Sequence, residues 1–186
     1  MRGIRGYLNP IVAAVMLAAG PVAAAAQEPG RVDALLEDLA RPDLENWQRV
    51  ERQIIDAWSR SGSPAMDLLL RRGRAALDAG DLRAAIEHLT ALTDHAPDFA
   101  EGWNARATAF FRDGQYGPAM ADLRRTLALN PAHFGALSGL GVILEEVGRE
   151  SAALDAFEAA QSIHPHQPLI NDAVDRLRRE TRGQAL

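Results

Sequence analysis

Histidine is the side chain in this sequence best suited to bind a metal or to move a proton near neutral pH. The chain contains His88, His95, His133, His164 and His166. Only His164 and His166 lie close together in sequence, on either side of Pro165. A zinc site needs several convergent ligands, and this pair comes with no cysteine and no His-Glu-x-x-His motif. We therefore expect no metal site and no cofactor; a metal-binding protein centred on His164 and His166 is the alternative.

Motifs for nucleophilic catalysis and phosphate binding are also missing from the sequence. It contains no cysteine, no Gly-x-Ser-x-Gly motif and no glycine-rich phosphate loop. Glu145 and Glu146 are adjacent carboxylates, but neighbouring residues on a helix point in different directions and do not form an acid–base pair. The sequence thus predicts that this protein is not an enzyme.

Glycine, alanine and proline instead recur along the chain with a fixed step of 34 residues. The recurring residues are Gly80, Gly114 and Gly148; Ala85, Ala119 and Ala153; and Pro97, Pro131 and Pro165. A period of this length with helical apolar spacing inside it is typical of stacked helical hairpins. Glycine suits the left-handed conformation that ends a helix, and proline closes each unit because helix interiors do not tolerate it.

Each unit is predicted to contain two helices. The first helix carries apolar residues at i, i+4 and i+7, with a small residue in the middle that allows the second helix to pack closely. These sets are Leu69, Gly73 and Ala76; Trp103, Ala107 and Phe110; and Leu137, Gly141 and Leu144. The buried faces of the second helices are predicted to contain Ala85, Leu89 and Leu92; Ala119, Leu123 and Thr126; and Ala153, Phe157 and Ala160. Asp81 is the expected N-cap of the first of these second helices.

These positions resemble the tetratricopeptide repeat family. The residues that carry the resemblance are Trp103, Ala107, Phe110, Ala119, Leu123 and Pro131, with ordinary substitutions in the other two units. The resemblance extends over residues 65–166, and the apolar residues Ile170, Ala173, Val174 and Leu177 that follow look like the family's capping helix. It implies an α–α superhelix whose concave groove binds a peptide or a partner protein, and it implies no catalysis.

In that family the first helices of the units line the groove. Carried onto this sequence, the partner-binding residues are expected to be Asp67, Leu70, Arg74, Asn104, Thr108, Phe111, Arg112, Ser138, Val142 and Glu145. Phe111 and Leu70 would make apolar contacts, and arginine is well suited to pair with acidic groups of a partner. The alternative is a solvated inner face. Members that clamp a chaperone's C-terminal carboxylate use lysine and asparagine at positions that here hold Leu70, Arg74, Ala105, Gly135 and Gly139, so we do not expect such a clamp.

Residues 1–26 have the pattern of a secretory signal peptide. Arg2 and Arg5 precede a short apolar run, and the small residues Ala24 to Ala26 precede Gln27. We expect cleavage and export to the periplasm; the alternative is a retained anchor, which would make the protein a membrane-tethered envelope assembly factor. Loss of the two arginines would lower the formal charge from −5 to −7, a balance that disfavours nucleic-acid binding.

Two more amphipathic helices are predicted between the signal peptide and the first unit. The first extends from Arg31 to Ala40 and the second to about Arg60, with Asp43 as the expected cap of the second. The second helix aligns Trp47, Val50, Ile54 and Trp58 on one face. We expect the two tryptophans to cover the open apolar face of the first unit, because terminal repeats need such a cover. The alternatives are an aromatic anchor for a partner or a contact between two copies of the chain.

The predicted fold class is therefore all-α: three tetratricopeptide-like hairpins between an N-terminal hairpin and a C-terminal capping helix. The expected segments are a signal peptide (1–26), an N-terminal hairpin with its linker (27–64), three repeats (65–98, 99–132 and 133–166) and a capping helix with a tail (167–186). The layout resembles that of small exported tetratricopeptide proteins of Gram-negative bacteria. The predicted function is that of a non-enzymatic adaptor or scaffold that holds a peptide or protein partner in its groove.

Overall fold

The structure, a computed structural model, describes residues 29–183, and all regular elements in that range are helices. They are α1 (Pro29–Leu39), α2 (Trp47–Trp58), α3 (Pro64–Asp78), α4 (Leu82–His95), α5 (Ala100–Arg112), α6 (Tyr116–Leu129), α7 (Phe134–Glu146), α8 (Glu150–Ile163) and α9 (Pro168–Gly183). The predicted signal peptide lies outside the described residues, so its cleavage stays a prediction. Within residues 29–183, no helix has the length and apolar character needed to cross a membrane.

Helices α3 to α8 form three pairs, α3–α4, α5–α6 and α7–α8, and each pair packs against the next. The turn inside each pair contains one of the periodic glycines. Gly80, Gly114 and Gly148 have φ angles of 76°, 74° and 74°, in the left-handed region that side chains disfavour. The predicted helix-ending role of these glycines is confirmed.

Close packing inside the pairs explains the small residues at the middle of the apolar triplets. A Cβ atom on Gly73 would lie 2.4 Å from Cγ of Leu89, and one on Gly141 would lie 2.8 Å from Cε2 of Phe157. Larger side chains at these glycines would force the paired helices apart. The predicted faces of the second helices are confirmed, because all nine residues are buried: Ala85, Leu89, Leu92, Ala119, Leu123, Thr126, Ala153, Phe157 and Ala160.

One predicted helix cap is confirmed and one is wrong. The side chain of Asp81 accepts a hydrogen bond from the backbone N–H of Ala84 at 3.0 Å, at the start of α4. Asp43 does not cap α2, because that helix begins at Trp47 and Asn46 occupies the cap position. The chain first makes a turn that packs Leu44 against the hairpin core, which delays the start of the helix.

The N-terminal hairpin, α1 and α2, packs against the third helix pair. Its core residues Leu39, Val50 and Ile54 form one cluster with Phe134, the first residue of α7. The expectation that the tryptophans cover the first repeat is wrong: Trp58 stacks on His133, and Trp47 packs against His164. Aromatic and imidazole rings at the turns around α7 and α8 offer these tryptophans a better-matched surface than the aliphatic first pair. At the other end, α9 closes the array by packing against α8.

Candidate functional site

The candidate site is a cleft between α5 and α7 on the inner face of the array, here called the α5–α7 cleft. It has a volume of about 290 Å³. Residues that line it are Asn104, Ala107, Thr108, Phe111, Leu123, Gly135, Ser138, Gly139, Val142 and Ile143. Five of the ten predicted partner-binding residues are among them, namely Asn104, Thr108, Phe111, Ser138 and Val142. None of the lining residues carries a charge.

Missing side chains on α7 make room for this cleft. A Cβ atom on Gly139 would meet the Leu123 side chain only at 3.6 Å, an ordinary contact distance. The nearest atom to a Cβ on Gly135 would be in the His133 ring, at 3.5 Å. The glycines are therefore not required by close packing; their absent side chains leave space above an apolar floor that includes Ile143.

The edges of the cleft combine polar groups with two partly accessible apolar side chains. Val142 is 36% exposed, and the half-buried ring of Phe111 lies 5.8 Å from the ring of Tyr116. The amide nitrogen of Asn104 lies 3.4 Å from both carboxylate oxygens of Glu101, which orients the amide and leaves its oxygen to accept a ligand's N–H. The hydroxyl of Thr108 donates to the backbone carbonyl of Asn104. The cleft can thus bind an apolar side chain and hydrogen-bond to a nearby backbone.

Three other predicted residues lie at a second cleft, of about 430 Å³, between α2 and α3. Asp67 accepts hydrogen bonds from both the backbone N–H and the hydroxyl of Ser61, so it fixes the linker. Leu70 is only 1% exposed and belongs to the core of the first pair. Arg74 pairs with the carboxylate of Glu101 and also donates to Ser59 Oγ at 3.0 Å. A partner's acidic group would have to compete with Glu101 for this arginine.

The last two predicted residues connect helices. Arg112 donates from Nη1 to the backbone carbonyl of Leu77 at 2.8 Å, near the C-terminus of α3, where a cation is favourable. Glu145 pairs with Arg176 of α9 at 2.6 Å. Neither residue lines the α5–α7 cleft. Their predicted role in partner binding stays a prediction.

A buried polar cluster at the edge of the cleft is a feature that the sequence did not reveal. Glu101 is 6% exposed, and its carboxylate is paired with Arg74 and with His133 Nε2, the latter at 2.8 Å. The Nδ1 atom of His133 accepts from the backbone N–H of Ala136, so in the neutral ring Nε2 carries the hydrogen and donates it to Glu101. These side chains come from three different repeats, and no spacing within one repeat indicates that they meet.

Opposing effects act on the ionisation of Glu101. Burial raises the pKa of this carboxyl, but the hydrogen bond from His133 and the paired Arg74 outweigh burial, so the pKa lies below its ordinary value. The carboxylate is therefore ionised at neutral pH and serves as a fixed negative charge between the repeats.

The two histidines considered as metal ligands lie under the N-terminal hairpin. His164 is 0% exposed, and His166 Nε2 donates to the backbone carbonyl of Arg41 at 2.9 Å. In the described part of the chain, no group of three or more His, Cys, Asp or Glu side chains is arranged to hold a metal ion.

Comparisons with known proteins identify the repeats. A family model for the tetratricopeptide repeat matches residues 70–122 and 114–168. A TPR repeat-containing protein of Rhizobium etli is 33% identical over 154 residues, which is 82% of this chain and 76% of that protein.

Two solved structures show the same fold at low sequence identity. One is the first TPR domain of Spaghetti (RPAP3) bound to an HSP90 peptide, with a TM-score of 0.62 and 21% identity over 64% of this chain and 94% of that chain. The other is the Yersinia enterocolitica type III secretion chaperone SycD in complex with a peptide of the translocator YopD, with a TM-score of 0.60 and 13% identity over 64% of this chain and 96% of that chain. The predicted all-α superhelix is confirmed, and this chain belongs to the tetratricopeptide repeat family.

Proposed function

We propose that this protein is a non-enzymatic adaptor that holds a peptide or protein partner in the α5–α7 cleft. The observation that carries the proposal is the cleft itself, which is open, apolar at its floor and edged by Asn104 and Ser138. A surface that is already formed loses little conformational freedom on binding, which favours affinity. The tetratricopeptide fold is a protein-interaction scaffold, and the residues that line the cleft include no acidic, basic or histidine side chain.

The lining of the cleft indicates the kind of segment that it accepts. A space of about 290 Å³ with no charged lining residue suits one large apolar side chain of a partner. Asn104 and Ser138 offer hydrogen bonds to the partner's backbone next to that side chain. Arg74 is neutralised by Glu101, so an acidic terminus is not the determinant that this groove would recognise. The peptides bound to the RPAP3 domain and to SycD support a peptide as the ligand class.

A single charge placed in the cleft tests the proposal. Val142→Glu puts a carboxylate at the mouth of the cleft, where an apolar partner side chain would have to desolvate it. The matched control is Val147→Glu, because Val147 is 42% exposed and lies outside the cleft. Cross-linking in the native cell, followed by pulldown from the envelope fraction, should recover one partner with the wild type and with Val147→Glu. Recovery of that partner with Val142→Glu would refute binding in this cleft.

The proposal includes export to the periplasm after cleavage of residues 1–26. It is supported by the order of the segment, in which Arg2 and Arg5 are followed by an apolar run and then by small residues before Gln27. N-terminal sequencing of protein purified from the envelope fraction should give a start near Gln27. An intact N-terminus in the membrane fraction would favour the tethered assembly factor instead.

A further inference from the structure

Three histidines lie where the N-terminal hairpin contacts the third helix pair. His133 is stacked on Trp58 with ring centroids 4.5 Å apart, and His166 is stacked on Trp47 at 6.0 Å. His164 meets the edge of Trp47 at 5.3 Å. We call the surface under the hairpin the hairpin seat; its residues are His133, Phe134, Ile163, His164 and His166.

His164 is the residue of the hairpin seat whose polar atoms are buried without hydrogen bonds. Its side chain is 0% exposed, and neither ring nitrogen has a hydrogen-bond partner. The nearest acidic group is Glu51 of α2, whose Oε1 lies 3.4 Å from Nε2 of His164 and already accepts a hydrogen bond from Gln167. A neutral imidazole tolerates such surroundings at moderate cost, whereas a protonated ring would be buried with only the Glu51 carboxylate, at 3.4 Å, to compensate its charge.

The groups around His164 have opposite effects on its pKa. From α2 it faces Glu51 and Trp47, from α7 it faces Phe134 at 5.0 Å, and from the turn after α8 it faces His166 at 6.1 Å. Burial lowers the pKa of His164, the nearby carboxylate of Glu51 opposes this, and His166 adds to the lowering, so the pKa lies below its ordinary value.

The hairpin also forms one wall of a small cavity next to the α5–α7 cleft. This cavity, of about 140 Å³, is lined by Ile55 and Trp58 of α2 and by Asn104 and Gly135, which line the larger cleft as well. Departure of α2 would therefore lengthen the cleft towards His133 and Phe134. The hairpin is joined to α3 by a short linker that contains Gly62, whose φ of 83° lies in the left-handed region that glycine adopts readily.

We propose that the N-terminal hairpin is a proton-controlled clasp: in mildly acidic conditions His164 takes up a proton, the hairpin leaves its seat, and the end of the groove beside Trp58 opens. Because the docked state disfavours the charged ring, its stability is complete above the ordinary pKa of histidine, about 6.5, and decreases as the pH falls below that value. The proposal does not depend on the identity of a groove ligand, since release occurs in the protein alone.

Hydrogen exchange of the full chain at two pH values measures this release. After correction for intrinsic exchange rates, protection of α2 amides should fall about tenfold or more between about pH 7.5 and about pH 5, while amides of α5 and α6 keep their protection. His164→Leu should remove the pH dependence of α2. The matched control is His88→Leu, since His88 is half-buried on α4 and takes no part in the hairpin seat; it should keep that dependence.

A second variant gives an answer even where His164→Leu does not fold. Glu51→Gln keeps the shape of the side chain and removes the carboxylate that faces the ring, so release should move to higher pH. The proposal is overturned by any of three results: unchanged α2 protection in the wild type, pH-dependent release that persists in His164→Leu, or a release midpoint that Glu51→Gln leaves unchanged or lowers.

Discussion

The carboxylate of Glu101 and the imidazole of His133 lie 2.8 Å apart and connect the second repeat to the third. The same carboxylate is paired with Arg74 of the first repeat. One buried side chain thus joins three consecutive repeats. Because Trp58 stacks on His133, this polar cluster also supports the N-terminal hairpin.

Replacing Glu101 by Gln should destabilise the fold. The substitution keeps the shape but removes the charge that compensates Arg74, and the expected loss is about 1–3 kcal/mol because Arg74 remains partly solvated. The matched control is Glu87→Gln, which removes the carboxylate of the exposed Arg83–Glu87 pair and should change the free energy of unfolding by less than about 0.5 kcal/mol. Urea denaturation at neutral pH measures both values, and equal effects would contradict a structural role for the cluster.

Glu101→Gln should also change how the free energy of unfolding depends on pH in the acidic range. The pKa of Glu101 is lowered in the folded state, so its contribution is present above the ordinary carboxyl value of 4.5 and is lost as the pH falls through the folded value. Wild type and Glu101→Gln should therefore differ most near neutral pH and converge in acid. A constant difference at all pH values would show that the ionised carboxylate is not what stabilises the junction.

Ala119→Trp should unfold the second repeat. Ala119 is 0% exposed on α6, within the core that also holds Ala107, and extra volume there costs about 1–3 kcal/mol or more. Ala121→Trp is the control, because Ala121 is exposed on the same helix and should leave the melting temperature nearly unchanged. Thermal unfolding followed by circular dichroism separates the two, and an unaffected Ala119→Trp protein would mean that the assigned repeat register is wrong.

The helix pairs could be predicted because their determinants are local and repeated. Gly114 ends a helix because it adopts a left-handed backbone conformation. Ala119 could be predicted as buried because it belongs to a series of residues at helical spacing that form one buried face. The position of the N-terminal hairpin could not be predicted in this way. The apolar stripe of α2 shows that Trp47 and Trp58 need a partner surface, but it does not identify that surface, which is formed by residues from much later in the chain.

Only the part of the candidate site that follows from the repeat register could be predicted from the sequence. That register assigns Asn104, Phe111 and Val142 to the inner face, and they line one cleft. It cannot show that Arg74 and Glu145 are engaged by charges of other helices, because those pairings depend on how the repeats stack.

Phe111→Ala and Arg112→Ala should differ in their effect on partner capture, although the two residues are adjacent. Phe111 lines the α5–α7 cleft, and truncating an apolar anchor of an interface commonly costs 2 kcal/mol or more, roughly thirtyfold in affinity. Arg112 lies outside the cleft and donates to the carbonyl of Leu77, so its truncation should weaken capture by only about threefold or less. Cross-linked pulldown with each variant, together with circular dichroism to verify helicity, measures the difference. A larger loss with Arg112→Ala than with Phe111→Ala would move the binding surface from the cleft to the neighbouring helix ends, where charge rather than apolar contact would select the partner.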